Sequence, residues 1–141
     1  MPNHFHLLIK QVDEQALPKF AKRFLTAYSR VFNQRHHRQG PLFESNYKAV
    51  IVETDEQLLH LSRYIHRNPL PMMQYKPGNL AAYPYSSLPQ YLGGYHTPWL
   101  HTQELLDFFG QQNPSSSYKE FVEEQETERE IILLDGLILE S

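Results

Sequence analysis

The strongest constraint on this chain is a change of hydrophobic period along its first seventy residues. "HFHLLIK" (4–10) alternates, and side chains in an extended segment point to opposite faces in turn. From Glu14 to Phe32 the apolar residues Leu17, Phe20, Phe24, Tyr28 and Val31 recur at helical spacing, with Lys19, Lys22, Arg23 and Arg30 on the opposite face. "YKAVIVE" (47–53) returns to a β-rich pattern. Thr54 with Gln57 three residues later then forms a capping-box signal for a helix that Asn68-Pro69 must stop. The order strand, helix, strand, helix predicts an α+β domain. Leu58, Leu61 and Ile65, with Leu59 beside them, read as the core face of the second helix.

Beyond Pro71 the texture shifts to Pro, Gly and Tyr, with two further helices expected at 102–110 and 115–125. The tail "EREIILLDGLILES" is acidic and then apolar, which suits docking on the core or on a partner. The chain has no cysteine, so disulfides and thiolate metal sites are excluded. With no apolar run of membrane-spanning length and no leader-like start, the expectation is a cytoplasmic protein without membrane contact.

Charge is divided unevenly. Residues 1–70 carry ten Lys and Arg against six Asp and Glu, whereas residues 71–141 carry three against ten. Such asymmetry fits a front half that meets an anion, most simply phosphate. The basic segment from Lys19 through Arg35 and Arg38 is the natural track for it, with aromatic neighbours Tyr28, Phe32 and Phe43 able to stack on unpaired bases.

His4 and His6 fall on one face of the first extended segment, as either a half-wet sheet face or part of a metal site; His-x-His in a strand is more often structural. On the second helix His60, Tyr64 and Asn68 form one polar stripe with Arg67 beside it. A tyrosine at such a place usually packs its ring and leaves its hydroxyl at the surface. The alternative is a nucleophile, because a phenol helped by a divalent ion can form a phosphotyrosine. No Gly-rich phosphate loop or serine-nucleophile elbow is present, and the serines of "YPYSSLPQY" read as helix caps.

Four blocks in order, "MPNHFHLLI", "YSRVFNQRHHRQGPLFESNYKA", "LLHLSRYIHRNP" and "YPYSSLPQYLGG", resemble the REP-associated tyrosine transposases of the insertion sequence 200-like superfamily. The likeness runs from Met1 to about Glu124. It implies a ferredoxin-like α+β fold of the HUH type, with a partial catalytic domain over 1–75 and a C-terminal helical extension over 76–141 packed on it as a single structural unit. It further implies that His4 and His6 hold Mg2+ or Mn2+, that Asn68 is the third ligand with His60 and His66 as substitutes, and that Tyr64 attacks a DNA phosphate.

The substrate implied is single-stranded or hairpin DNA, met in the nucleoid. Lys19, Lys22, Arg23, Arg30, Arg35, Arg38 and Arg67 are the expected DNA contacts. Family members carry a strand, a helix and a further strand before the "MPNH" turn, so an N-terminally truncated sheet is expected, completed by a second copy or another chain. Two other readings stand beside this one: a binder of structured DNA that no longer turns over, and a structural fragment without a nucleic-acid role.

Overall fold

A computed structural model describes residues 4–71, 77–124 and 127 of the chain. The described residues divide into two compact units, one formed by 7–50 and the other by 4–6 with the described residues from 51 onward.

The Leu7–Val50 unit is built on helix α1, Ala16–Arg35. It is the helix that the spacing of Leu17, Phe20, Phe24, Tyr28 and Val31 predicts. It ends in a tight reversal: the His36 N–H donates to Phe32 O at 2.9 Å, the Arg38 N–H donates to Asn33 O at 2.9 Å, and His37 takes φ 51°. This is the six-to-one closure that usually recruits glycine, here held by histidine at some cost in strain. The Asn33 amide then donates to Gly40 O at 2.8 Å, closing the basic loop on itself.

The second unit is helical. Helix α2, Asp55–Arg67, starts at Thr54, whose hydroxyl accepts from Gln57 N at 3.2 Å while the Gln57 carbonyl oxygen accepts from Thr54 N at 3.2 Å and Glu53 N at 2.8 Å. Asn68 caps its end, where Pro69 forbids continuation. A 3-10 segment Pro77–Ala82 and short helices α3, Leu88–Tyr91, and α4, Gln103–Leu106, follow; α4 continues as a 3-10 turn Asp107–Phe109. Helix α5, Pro114–Glu123, closes the unit. The core is Leu80, Leu88, Tyr91, Leu105, Leu106, Tyr118 and Val122, with Leu59, Leu70, Phe109 and Phe121 packed against it.

Two expectations are corrected here. The first concerns fold class: among the described residues there is no strand, so the ferredoxin-like α+β sheet is absent and the described fold is helical. Residues 4–10 and 47–53 run without a ladder, and their apolar side chains stay in water, Leu7 half exposed at 50% and Ile51 at 80%. Alternation gives a segment β-propensity, but a strand is one side of a ladder, and neither segment is a strand among the described residues.

The second concerns the face of α2. Leu58, Leu61 and Ile65 are only partly covered, while Ser62, Arg63 and His66 are buried. Polar groups tolerate burial where they are paired, and α5 supplies the partners. Arg63 lies 4.2 Å above the Phe121 ring and donates from Nη1 to Phe121 O at 3.3 Å. His66 sits in a chain of hydrogen bonds with one direction throughout. Ser87 Oγ donates to His66 Nε2 at 2.9 Å, His66 Nδ1 donates to Tyr118 Oη at 2.7 Å, Tyr118 donates to Ser62 Oγ at 3.2 Å, and Ser62 donates to Leu59 O at 2.7 Å.

The backbone carbonyl at the end fixes that direction, because it can only accept. Each hydroxyl hydrogen is thereby used once, and His66 must be the neutral Nδ1–H tautomer. Burial pushes the His66 pKa down to about 4 and pushes that of Tyr118 up, so both stay uncharged at neutral pH.

The acidic-then-apolar tail of 128–141 lies outside the described residues.

Candidate active site

Helix α2 presents Tyr64 and Asn68 one turn apart, and the entry segment of the same unit lays His4 and His6 against them. The His6 and Tyr64 rings meet edge to face at 5.6 Å between centroids, and His4 and His6 meet at 5.2 Å. The Asn68 amide lies 3.5 Å from His6 Nε2. His4, Tyr64, Arg67 and Asn68 line one cleft of about 400 Å³, walled on its apolar side by Leu70 and Pro71.

The electrostatics favour an uncharged imidazole. Desolvation by its neighbours, and then the like charge of His4, lower the His6 pKa below its usual value. A neutral imidazole is the form that ligates metal. Two imidazoles that reach one divalent ion at ~2.1 Å have ring centroids roughly 4.5–5.3 Å apart, and the His4–His6 pair falls in that range. Asn68 adds an amide oxygen once its terminal group is turned over, a choice of orientation that density of hydrogen bonds alone decides. His4, His6 and Asn68 thus offer two imidazole nitrogens and one amide oxygen, donor types that a borderline divalent cation takes. Among the described residues no group of three or more His, Cys, Asp or Glu side chains is gathered to hold a metal.

The other expected site residues are placed as follows. His60 turns toward α5, packed 6.0 Å from the Phe121 ring and hydrogen-bonded to Arg63 Nη2 at 3.1 Å. His66 is in the core. Neither reaches the cleft as a substitute ligand. Arg67 lines the cleft, yet its Nη1 donates to Val122 O at 2.7 Å and Glu124 O at 2.8 Å, gripping the end of α5. Lys19, Lys22, Arg23, Arg30 and Arg35 are carried on α1, and Arg38 on the loop after it, where it donates to Pro41 O at 3.3 Å.

Sequence reasoning missed Arg63, Ser62, Tyr118 and Ser87. The partners that tie Arg63 and Ser62 to α5, and His66 to Tyr118 and Ser87, lie more than twenty residues away, and no spacing marks them. Only the position of Tyr118, one turn before Val122 on the buried stripe of α5, carries a local signal.

Residues 1–68 match the family model of the IS200-like transposases, and the matched segment ends on Asn68. The likeness covers 68 of the chain's 141 residues and is a similarity of that segment to the family. That likeness supports a function of transposase type. His4, His6, Tyr64 and Asn68 all lie inside the IS200-like segment, whereas α5, which holds Arg67, lies outside it. No curated protein matches the chain, and no solved structure does.

Proposed function

We propose that the chain is a metal-dependent, tyrosine-using endonuclease and strand transferase acting on single-stranded DNA with hairpins of the REP type. The observation that carries this reading is the edge contact of Tyr64 with His6, 5.6 Å between centroids, in a cleft that His4 and Asn68 share. A nucleophile and a candidate ion site adjoin the same open space.

His4, His6 and Asn68 would hold Mg2+ or Mn2+, which when bound supplies positive charge against a phosphate oxygen. Tyr64 supplies the attacking oxygen. Its Oη forms a bond to phosphorus and gives up its proton to solvent, the phosphorus–O3′ bond breaks, and the departing oxygen takes a proton to become a 3′-OH. The 5′ end remains on Tyr64 as a phosphodiester, so the energy of the broken bond is kept and a second 3′-OH can reverse the step onto a new strand.

The test is incubation of purified chain with an end-labelled single strand carrying a palindromic hairpin, with and without Mn2+, resolved on a denaturing gel. A covalent protein–DNA adduct that needs metal and is lost in Tyr64→Phe and in His6→Ala supports the assignment. An adduct that persists in Tyr64→Phe refutes the nucleophile. Hairpin binding without any adduct would move the chain to the non-catalytic reading.

A further inference from the structure

Helix α2 is held from behind the face that carries Tyr64. Successive residues of an α-helix turn by ~100°, so Ser62, Arg63, His66 and Arg67, which all reach α5, occupy one arc of α2, and Tyr64 and Asn68 centre ~150° around the helix from it. The grip and the cleft are two sides of the same short stretch of helix.

The grip is made of several bonds. Ser62 and His66 meet the Tyr118 hydroxyl, Arg63 donates to Phe121 O, and Arg67 Nη1 donates to Val122 O at 2.7 Å and Glu124 O at 2.8 Å, which uses both of its hydrogens. α5 is itself a fixed reference, because Tyr118 and Val122 are fully buried among Leu80, Leu88, Leu105 and Leu106. The capping box at Thr54 does something different. Its bonds lie within the first turn of α2, so they fix where the helix starts and not how it is turned about its axis. All of α5 lies outside the segment that resembles the IS200-like family.

We propose that α5 is a brace that sets the rotation of α2, and that Arg67 is a positioning residue: it keeps Tyr64 presented to the cleft through its grip on the end of α5, not through contact with DNA. Arg67 is the tie nearest the chemistry, since it lines that cleft together with His4, Tyr64 and Asn68. Small rotations matter here. Tyr64 Oη stands roughly 8 Å from the helix axis, so a turn of ~10° carries it about 1 Å or more, and a misplacement of that size at a reacting atom can slow a reaction about a hundredfold. The inference rests on the reading of Tyr64 as the nucleophile.

The experiment is single-turnover adduct formation by the full-length chain on the end-labelled hairpin strand with Mn2+. Amplitude then gives the competent fraction and the rate constant gives the chemistry, and circular dichroism checks that each variant is folded. In Arg67→Gln, whose side chain is too short for both carbonyls, the rate constant should fall about tenfold or more, with half-saturating DNA concentration and salt slope unchanged. Arg67→Lys, which keeps enough hydrogens for both carbonyls, should recover most of the rate. Tyr118→Phe loosens the same brace from α5 and should also slow the reaction. Thr54→Ala weakens α2 at its far end and should lower the amplitude at most. In parallel, the ring signal of labelled Tyr64, set by the His6 ring at 5.6 Å, should move in Arg67→Gln and stay in Thr54→Ala.

An unchanged rate constant in Arg67→Gln, with weaker DNA binding and a salt slope flattened by about 0.7, makes Arg67 a phosphate contact and overturns the brace. Equal slowing in Thr54→Ala also overturns it, as a general effect of stability. Absence of any adduct with wild type overturns the nuclease reading, and the Tyr64 ring signal then decides the brace by itself: a signal that Arg67→Gln leaves in place overturns it too.

Discussion

Tyr118→Phe removes one oxygen from the middle of the hydrogen-bond chain that joins α2 to α5. The hydroxyl accepts from His66 Nδ1 at 2.7 Å and donates to Ser62 Oγ at 3.2 Å, and Tyr118 is fully buried. Without it the His66 N–H is left in the core unpaired, which costs about 1–3 kcal/mol, while Ser62 keeps its bond to Leu59 O and loses only an acceptor contact of ~1 kcal/mol or less. Relief from desolvating the phenol offsets part of this. The net expectation is about 2 kcal/mol of lost stability. In urea, with a slope of ~1.5 kcal/mol per molar, the midpoint should fall by roughly 1.3 M with the slope unchanged. The double variant Tyr118→Phe/His66→Leu removes donor and acceptor together. It should cost less than the sum of the two single changes, because neither partner is then stranded. A midpoint shift below ~0.3 M in Tyr118→Phe, or strict additivity in the cycle, would refute the directional chain.

His66 also sets a pH dependence. Its folded pKa, about 4, lies below the unfolded value of 6.5, so the unfolded chain takes up a proton that the folded chain refuses. Stability should be complete above pH 6.5 and fall by about 3 kcal/mol as pH drops toward 4, relative to a non-titrating His66→Gln variant followed by denaturant melts across the same range. Parallel curves for the two proteins would contradict this. Thr54→Ala removes the hydroxyl half of the capping box and should cost about 1 kcal/mol, read as a lowered Tm. Arg67→Ala should lower stability by about 1–2 kcal/mol through loss of its bonds to Val122 O and Glu124 O, with faster hydrogen exchange at the end of α5 as the specific sign.

The two long helices, and both ends of the second, were legible because their signals are local, while the first runs on to Arg35 into what the sequence reads as a loop. Thr54 and Gln57 sit within one turn of each other, Pro69 blocks helix continuation whatever surrounds it, and the ring spacing of α1 belongs to a single helix. The polar stripe of Tyr64 and Asn68 was legible for the same reason, and His4 and His6 were marked by their spacing. That His4, Tyr64 and Asn68 line one cleft, with the His6 ring against Tyr64, is a tertiary fact.

Outcomes that depend on a second body were decided only in three dimensions. Residues 4–10 and 47–53 have the alternation of strands, yet a ladder forms between segments, and here neither meets one. The hydrophobicity of α2 points to Leu58, Leu61 and Ile65, but burial follows what the neighbour offers. Helix α5 brings a phenol, a ring face and three backbone carbonyls, so Ser62, Arg63 and His66 go inward and Arg67 is drawn to the helix end. Sequence determined which segments coil into helices and where they stop, since those energies are settled within a few residues. Tertiary structure decided which faces are covered, which histidine stays neutral in the core and which one lines the cleft, since burial and pairing are properties of two surfaces and not of one.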